Sequence, residues 1–168
     1  SLLEKSKAGD VAFIYYAGHG SQVRNSLSKE KDQKDESMVP SDTWKEGVED
    51  IRDKELSKVY NAFIDKGVKL TVILDCCHSG SMSRDVNYET KSIPTIEAEL
   101  EEYSSNAIRG NDDKLVVLSA ARSDELATAR GDANGRMNSM FTQSLVAAFR
   151  QGKENETLDG LLRECQSY

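Results

Sequence analysis

Three short apolar runs divide the chain: Val11–Tyr16, Leu70–Leu74 and Leu115–Leu118. Each is rich in β-branched or aromatic residues, and none shows the alternation of polar and apolar positions that a half-solvated strand has. Continuous apolar runs of this length are typical of strands buried on both faces of a parallel sheet. We therefore predict three central strands.

Between the predicted strands, apolar residues recur at helical spacing. Residues Asp53–Lys66 place one apolar face along a helix, and Gly67 follows as a C-terminal cap. A second helix is predicted over Asn138–Arg150, and Thr157 can cap a third. Strands that alternate with helices predict an α/β fold with a mostly parallel sheet.

Two polar stretches interrupt this pattern. Gly20–Asp50 is highly charged, and Arg84–Asp113 mixes charged residues, serine and one proline. We interpret both as long surface loops, and we expect the acidic residues of the first to form a solvated face. The chain, residues 1–168, has the size of one domain. Because it begins almost directly on a central strand and stops on a helix, we expect sheet-forming segments to be missing at the N-terminus and at the C-terminus.

Composition limits the function class. The hydrophobic fraction is 38% and the charged fraction 30%, and no apolar run approaches the roughly 20 residues of a membrane span. The net charge of −7 argues against a nucleic-acid partner. The N-terminus carries no secretion signal, and three cysteines, two of them adjacent, do not make a disulfide framework. We therefore expect a cytoplasmic protein without a membrane or nucleic-acid partner.

Chemically distinctive motifs follow the first two predicted strands: YYAGHG at residues 15–20 and LDCCHSG at residues 74–80. Reactive residues of parallel sheets lie just beyond the carboxyl ends of the strands, so both motifs fall on the same predicted rim. A histidine between two glycines, as His19 is, has little steric shielding and suits a general base.

The choice of the catalytic pair follows from chain geometry. A nucleophilic cysteine needs an imidazole within hydrogen-bond reach. His78 is adjacent to Cys77, and adjacent side chains point apart, whereas His19 can approach from the neighbouring strand end. Cys76 is still inside the extended run, where a buried thiol is inert. We predict His19 and Cys77 as the pair.

Two other interpretations stay open. A metal-binding module would use Cys76, Cys77, His78 and His19, although consecutive ligands do not easily face one tetrahedral ion. A catalytically inactive interaction scaffold would bind partners without hydrolysis, although retention of both His19 and Cys77 argues against it.

YYAGHG and LDCCHSG resemble the histidine and cysteine motifs of metacaspases and of their bacterial relatives, the orthocaspases, in the caspase-like peptidase family. The segment LSAARSDE at residues 118–125 resembles the family's segment on the strand after the catalytic cysteine. The separation of His19 and Cys77 is similar to the roughly 50-residue spacing in caspases. The resemblance implies a caspase-like three-layer αβα sandwich and a cysteine endopeptidase with a Cys–His dyad.

The resemblance also implies roles for further residues. The backbone N–H groups of Gly20 and Cys77 would hold the oxyanion. Asp75 matches the acid of the primary specificity pocket, where a carboxylate seats arginine or lysine. Polypeptides with basic residues are then the expected substrates. A related clan peptidase with another specificity is the alternative.

Calcium and self-processing complete these implications. Calcium-activated members carry acids near the positions of Asp35, Asp53 and Asp85, but Lys54 stands where the second acid of a pair is expected, and its like charge opposes a cation. We therefore expect no required cofactor. Self-processing would use the loop 84–113, and the candidate cleavage positions are Arg109 and Lys114. A complementary fragment of the same protein is an expected partner.

Overall fold

The computed structural model describes residues 1–27, 31–76, 89–90, 113–120, 128–131, 137–151, 160 and 163. In chain order its elements are α1 (Leu2–Lys5), β1 (Val11–Ala17), β2 (Gly20–Arg24), β3 (Lys34–Met38), β4 (Ile51–Arg52), α2 (Asp53–Asp65), β5 (Lys69–Asp75), β6 (Glu89–Thr90), β7 (Leu115–Ser119), β8 (Thr128–Gly131), β9 (Met137–Ser139) and α3 (Met140–Gln151).

The three predicted apolar runs form one parallel sheet in the order β1-β5-β7. Each strand is longer than the apolar run that predicted it by one or two residues. The central strand β5 is the most buried of the three, which agrees with its uninterrupted apolar sequence. The prediction of three parallel strands is confirmed.

Helix α2 covers one face of this sheet. It begins where the Glu55 carboxylate accepts a hydrogen bond from the Arg52 N–H (2.9 Å), and it ends before Gly67, whose φ of +79° suits a C-terminal cap. Its apolar face packs with the sheet in a cluster of buried residues: Ala12, Tyr60, Phe63, Val68, Leu70 and Val72. The predicted helix is confirmed, with its end at Asp65.

Helix α3 covers the other face. Its Leu145 and Ala148 pack against Ile73 of β5 and Leu118 of β7. Because successive strand residues point to opposite faces, Ile73 lies on the face opposite to that of Val72. The sheet is therefore sandwiched between helices, and the predicted three-layer α/β architecture is confirmed. Helix α3 begins at Met140, not at Asn138, because residues Met137–Ser139 pair with β8 instead.

The interpretation of Gly20–Asp50 as a solvated loop is wrong. Strands β2, β3 and β4 form an antiparallel sheet in which Val23, Asp35 and Ser37 are buried. Four of the six buried side chains in these strands are polar, so the strands lack the apolar pattern that marks the central sheet. Most of Arg84–Asp113 and the helix predicted from Thr157 lie outside the described residues.

Strand β1 presents an apolar face on the side where α3 packs. Val11 and Phe13 are 75% and 56% exposed there, and Tyr15 is also exposed. The alternate residue Ala12 is buried against α2. Within the described part of the sheet, β1 has one hydrogen-bonded neighbour, β5. Among the described residues, no helix is long and apolar enough to cross a membrane.

Candidate active site

The parallel pairing of β1 with β5 aligns the two motifs. Ala17 is in register with Asp75, and the Gly18 N–H continues the ladder by donating to the Asp75 carbonyl (3.3 Å). His19 and Cys77 are each two residues beyond these paired positions. Cys77 and His78 lie outside the described residues, so the contact between Cys77 and His19 stays a prediction.

Tyr16 fixes the backbone of the histidine loop. Its hydroxyl, which has one proton to donate, lies 2.7 Å from the His19 carbonyl oxygen and 2.9 Å from that of Val39, and the two oxygens share it. The Val39 N–H also donates to the His19 carbonyl (3.0 Å). His19 itself is exposed. The backbone at His19 is thus held by β1 and by the end of β3, while the residue faces solvent.

Gly18 leaves room for this tyrosine. A Cβ atom at position 18 would lie 2.6 Å from the Tyr16 hydroxyl oxygen and 2.8 Å from the ring carbon that carries it. Both distances are shorter than any stable contact between these atoms. The first glycine of the GHG motif is therefore required because the ring of Tyr16 passes directly beside it.

The pairing of β2 with β3 determines the direction of the Gly20 N–H. It pairs with Met38, and the bond from Val39 N–H to the His19 carbonyl makes this a non-hydrogen-bonded pair of the antiparallel ladder. In such a pair the N–H groups point away from the partner strand. The Gly20 N–H therefore points away from β3, and Gly20 is buried.

Asp75 is fully buried, and its carboxylate is held from α3. The Thr142 hydroxyl donates to Asp75 Oδ2, and the Tyr15 hydroxyl lies 2.6 Å from Thr142 Oγ1. Neither Thr142 nor Tyr15 was predicted from the sequence. Thr142 is 67 residues from Asp75 along the chain, and one threonine on a helix carries no signal of such a contact.

Cys76, the residue directly after β5, is buried, as predicted. His19, which the metal-binding interpretation grouped with Cys76, is exposed. Within the described segments, no group of three or more His, Cys, Asp or Glu residues has the arrangement of a metal site.

The calcium candidates divide among three environments. Asp35 is fully buried in β3, so the expectation of a solvated acidic face is wrong for this residue. Asp53 is the first residue of α2, and its Oδ1 accepts a hydrogen bond from the Lys54 N–H (2.7 Å). Asp85 lies outside the described residues.

Three nitrogen donors surround the Asp35 carboxylate. Lys54 Nζ donates to Oδ1, while Asn25 Nδ2 (2.8 Å) and Arg52 Nη1 (3.5 Å) donate to Oδ2. The Lys54 and Arg52 side chains are themselves buried. Calcium needs six to eight oxygen ligands. Two cationic groups on the one buried carboxylate therefore do not fit a calcium ion.

Burial raises the pKa of Tyr16 and that of Tyr60 to about 12. In the unfolded chain tyrosine ionises near pH 10, so from about pH 10 to about pH 12 the unfolded state releases protons that the folded state keeps. We expect the free energy of unfolding to fall as pH rises through this window. Between about pH 10 and about pH 12, the urea midpoint of unfolding should fall less steeply with pH for Tyr60→Phe than for the wild type. The same slope in both proteins contradicts the prediction.

Comparison with known proteins gives consistent matches. The family described as "Metacaspase, peptidase C14 domain" matches residues 1–85, which include both His19 and Cys77. Metacaspase-1 of Plasmodium falciparum (isolate 3D7) is 43% identical over 90 residues, which are 54% of this chain and 14% of that protein. Inactive metacaspase-4 of Trypanosoma brucei brucei is 36% identical over 81 residues, which are 48% of this chain and 22% of that protein.

A similar fold occurs in the crystal structure of protein GSU0716 from Geobacter sulfurreducens. The TM-score is 0.64 at 19% sequence identity, and the similarity covers 98% of this chain and 63% of that one. At this identity the likeness concerns the fold. The chain spans less than a quarter of the length of the two curated relatives above.

Proposed function

The chain belongs to the metacaspase family, and on that basis we propose that it is the core of a cysteine endopeptidase that cleaves polypeptides after arginine or lysine. The observation that carries the proposal is the register of Ala17 with Asp75. This register places the ends of the two motif strands side by side. His19 and Cys77, two residues beyond these ends, are then close enough for an imidazole to reach a thiol.

The proposed reaction uses two side chains and the backbone. Cys77 Sγ attacks the scissile carbonyl carbon, and His19 takes the thiol proton and returns it to the leaving amine. Water then hydrolyses the thioester and releases the second product. The Gly20 N–H, which points away from β3, is one donor to the oxyanion, and the N–H of Cys77 is the other.

Asp75 is the proposed seat for the basic side chain. Its carboxylate lies at the end of β5, two residues before the nucleophile, and the Thr142 hydroxyl holds it in one orientation. A fixed carboxylate favours a charge-assisted pair with a guanidinium or ammonium group. Asp75 has no exposed surface, so the substrate reaches it only when the residues that cover it move aside.

Thr142→Val tests this role of the threonine as a positioning residue. Loss of the hydrogen bond to a charged group should lower kcat/KM for an arginine reporter about 10-fold. We expect the loss mainly in KM, with an unchanged rate of Cys77 alkylation by neutral iodoacetamide, because the thiol and His19 are untouched. Thr43→Val makes the same chemical change in an exposed turn and should leave both quantities unchanged. Equal effects of the two variants contradict the prediction.

The function itself is tested with three reporter peptides that differ only at the cleaved position, which is Arg, Lys or Asp. We expect cleavage of the first two, none of the third, and none with Cys77→Ala. Cleavage after Asp alone overturns the specificity, and activity retained in Cys77→Ala overturns the mechanism. A folded wild-type protein that cleaves no reporter, and is not labelled by an arginyl chloromethylketone, supports the inactive scaffold.

Self-processing is proposed at Arg109 rather than at Lys114. Cleavage after Lys114 requires attack on its carbonyl, which accepts a hydrogen bond from the Leu70 N–H (2.6 Å) where β7 joins β5. That bond must break before the carbonyl can enter an active site. Arg109 lies outside the described residues. Mass spectrometry of wild-type protein against Cys77→Ala should show a fragment ending at Arg109, and identical intact masses contradict self-processing.

A complementary segment of the same protein is the proposed partner of β1. The exposed apolar face of Val11, Phe13 and Tyr15 supports this proposal. Backbone amides of β1 should exchange with solvent more slowly when the complementary segment is present than when this chain is alone. Equal exchange in the two contradicts it.

A further inference from the structure

The Lys54 ammonium donates to the buried carboxylate of Asp35, a residue of the strand whose end bonds the histidine loop. Asp35 belongs to β3, and Lys54 belongs to the first turn of α2. An isolated buried carboxylate costs several kcal/mol, so its charge must be balanced. Here the balance comes from within the chain, because Lys54 Nζ donates directly to Oδ1.

The position of this pair matters for His19. From Asp35, strand β3 continues to its last residue, Met38, and the next residue, Val39, bonds the His19 carbonyl through its N–H. The Lys54 ammonium thus holds β3 at Asp35, and the residue after β3, Val39, holds the His19 backbone. Arg52 supports the same carboxylate from β4, the third strand of this sheet.

We propose that the Lys54 ammonium is a built-in replacement for a divalent cation at Asp35, so that β3 and the histidine loop are ordered without calcium. The ammonium supplies positive charge to the carboxylate at all times, whereas a bound ion would supply it only above a threshold concentration. A calcium ion at Asp35 would have to displace Lys54 and would then face the Arg52 guanidinium nearby. Like charges at this separation, away from water, repel strongly.

The proposal is tested by thermal unfolding of the wild-type chain in EDTA, in calcium chloride and in magnesium chloride. A ligand that binds only the folded state raises Tm as its concentration grows. We expect the same Tm in all three solutions. A rise of about 5 °C or more that calcium produces and magnesium does not overturns the proposal. The readout is Tm, so it is independent of whether the chain is a peptidase.

The converse experiment restores an acid with Lys54→Asp. This variant replaces the ammonium beside Asp35 with one carboxylate, so we expect a lower Tm in EDTA and a gain of stability with calcium. Lys45→Asp makes the same substitution at an exposed lysine and should show no calcium response. A folded Lys54→Asp protein whose Tm ignores calcium overturns the proposal. If this variant does not fold, the wild-type titration decides the question alone.

Discussion

Replacing Lys54 with methionine is expected to lower the free energy of unfolding by about 3 kcal/mol. Methionine keeps the length and apolar stem of the side chain but removes the ammonium. Asp35, which is fully buried, then loses its direct cationic partner and keeps Asn25 and the more distant Arg52. The cost arises from leaving a desolvated carboxylate incompletely paired, and urea unfolding followed by circular dichroism measures it.

Lys45→Met is the matched control. Lys45 pairs with Asp42 at 3.4 Å, but both side chains are about half exposed, with 52% and 45% of their surfaces accessible. Exposed pairs of this kind contribute about 0.5 kcal/mol or less. Equal destabilisation by the two lysine substitutions contradicts a special role for Lys54.

Gly18→Ala is expected to lower kcat/KM about 100-fold in a protein that still folds. The added Cβ would lie 2.6 Å from the Tyr16 hydroxyl, so either the ring or the loop must move. Either movement disturbs the bond from the Tyr16 hydroxyl to the His19 carbonyl, and a displacement of about 1 Å at a catalytic group costs about this much. Steady-state cleavage of the arginine reporter measures the loss.

Two comparisons separate misplacement of His19 from general damage. Gly47→Ala meets no atom within 4 Å, but its φ of +80° costs about 1 kcal/mol of stability, and activity per folded molecule should not change. Tyr16→Phe in the Gly18→Ala background removes the 2.6 Å contact but also removes the hydroxyl that bonds the His19 carbonyl, so activity should not recover. Full activity of Gly18→Ala is the result that contradicts the steric account.

The elements that the sequence predicted well are those whose buried side chains are apolar. Leu70 and Val72 on one face of β5 and Ile73 on the other are all buried, so the strand reads as an uninterrupted apolar run. Helix α2 was equally clear, because its buried face repeats at helical spacing and Gly67 marks its end. In these elements local pattern and tertiary packing agree.

The small antiparallel sheet was missed because its core is polar. Asp35 and Ser37 in β3 are buried, yet charged and hydroxyl side chains predict a loop unless their partners are known. Those partners are Lys54 and Asp50, which are distant along the chain. Pairings of this kind depend on the completed fold, and no local periodicity encodes them.

The candidate site shows the same division. The strand-end placement of His19 and Gly20 follows from the apolar run of β1, since both residues come shortly after the run stops at Tyr16. The hydroxyl of Tyr16 on the His19 carbonyl, and that of Thr142 on Asp75, join groups whose relation only the assembled chain determines. The sequence thus indicated which residues to consider, and the structure added what holds them.

The register of Ala17 with Asp75 also constrains how the gene can change in length. One residue inserted between Ala17 and His19 would turn the histidine toward the opposite side of the sheet, because side chains alternate along an extended chain. An insertion among the exposed residues 43–47 would leave this alignment untouched. Related genes should therefore vary in length at that turn while keeping constant the short spacers that follow β1 and β5.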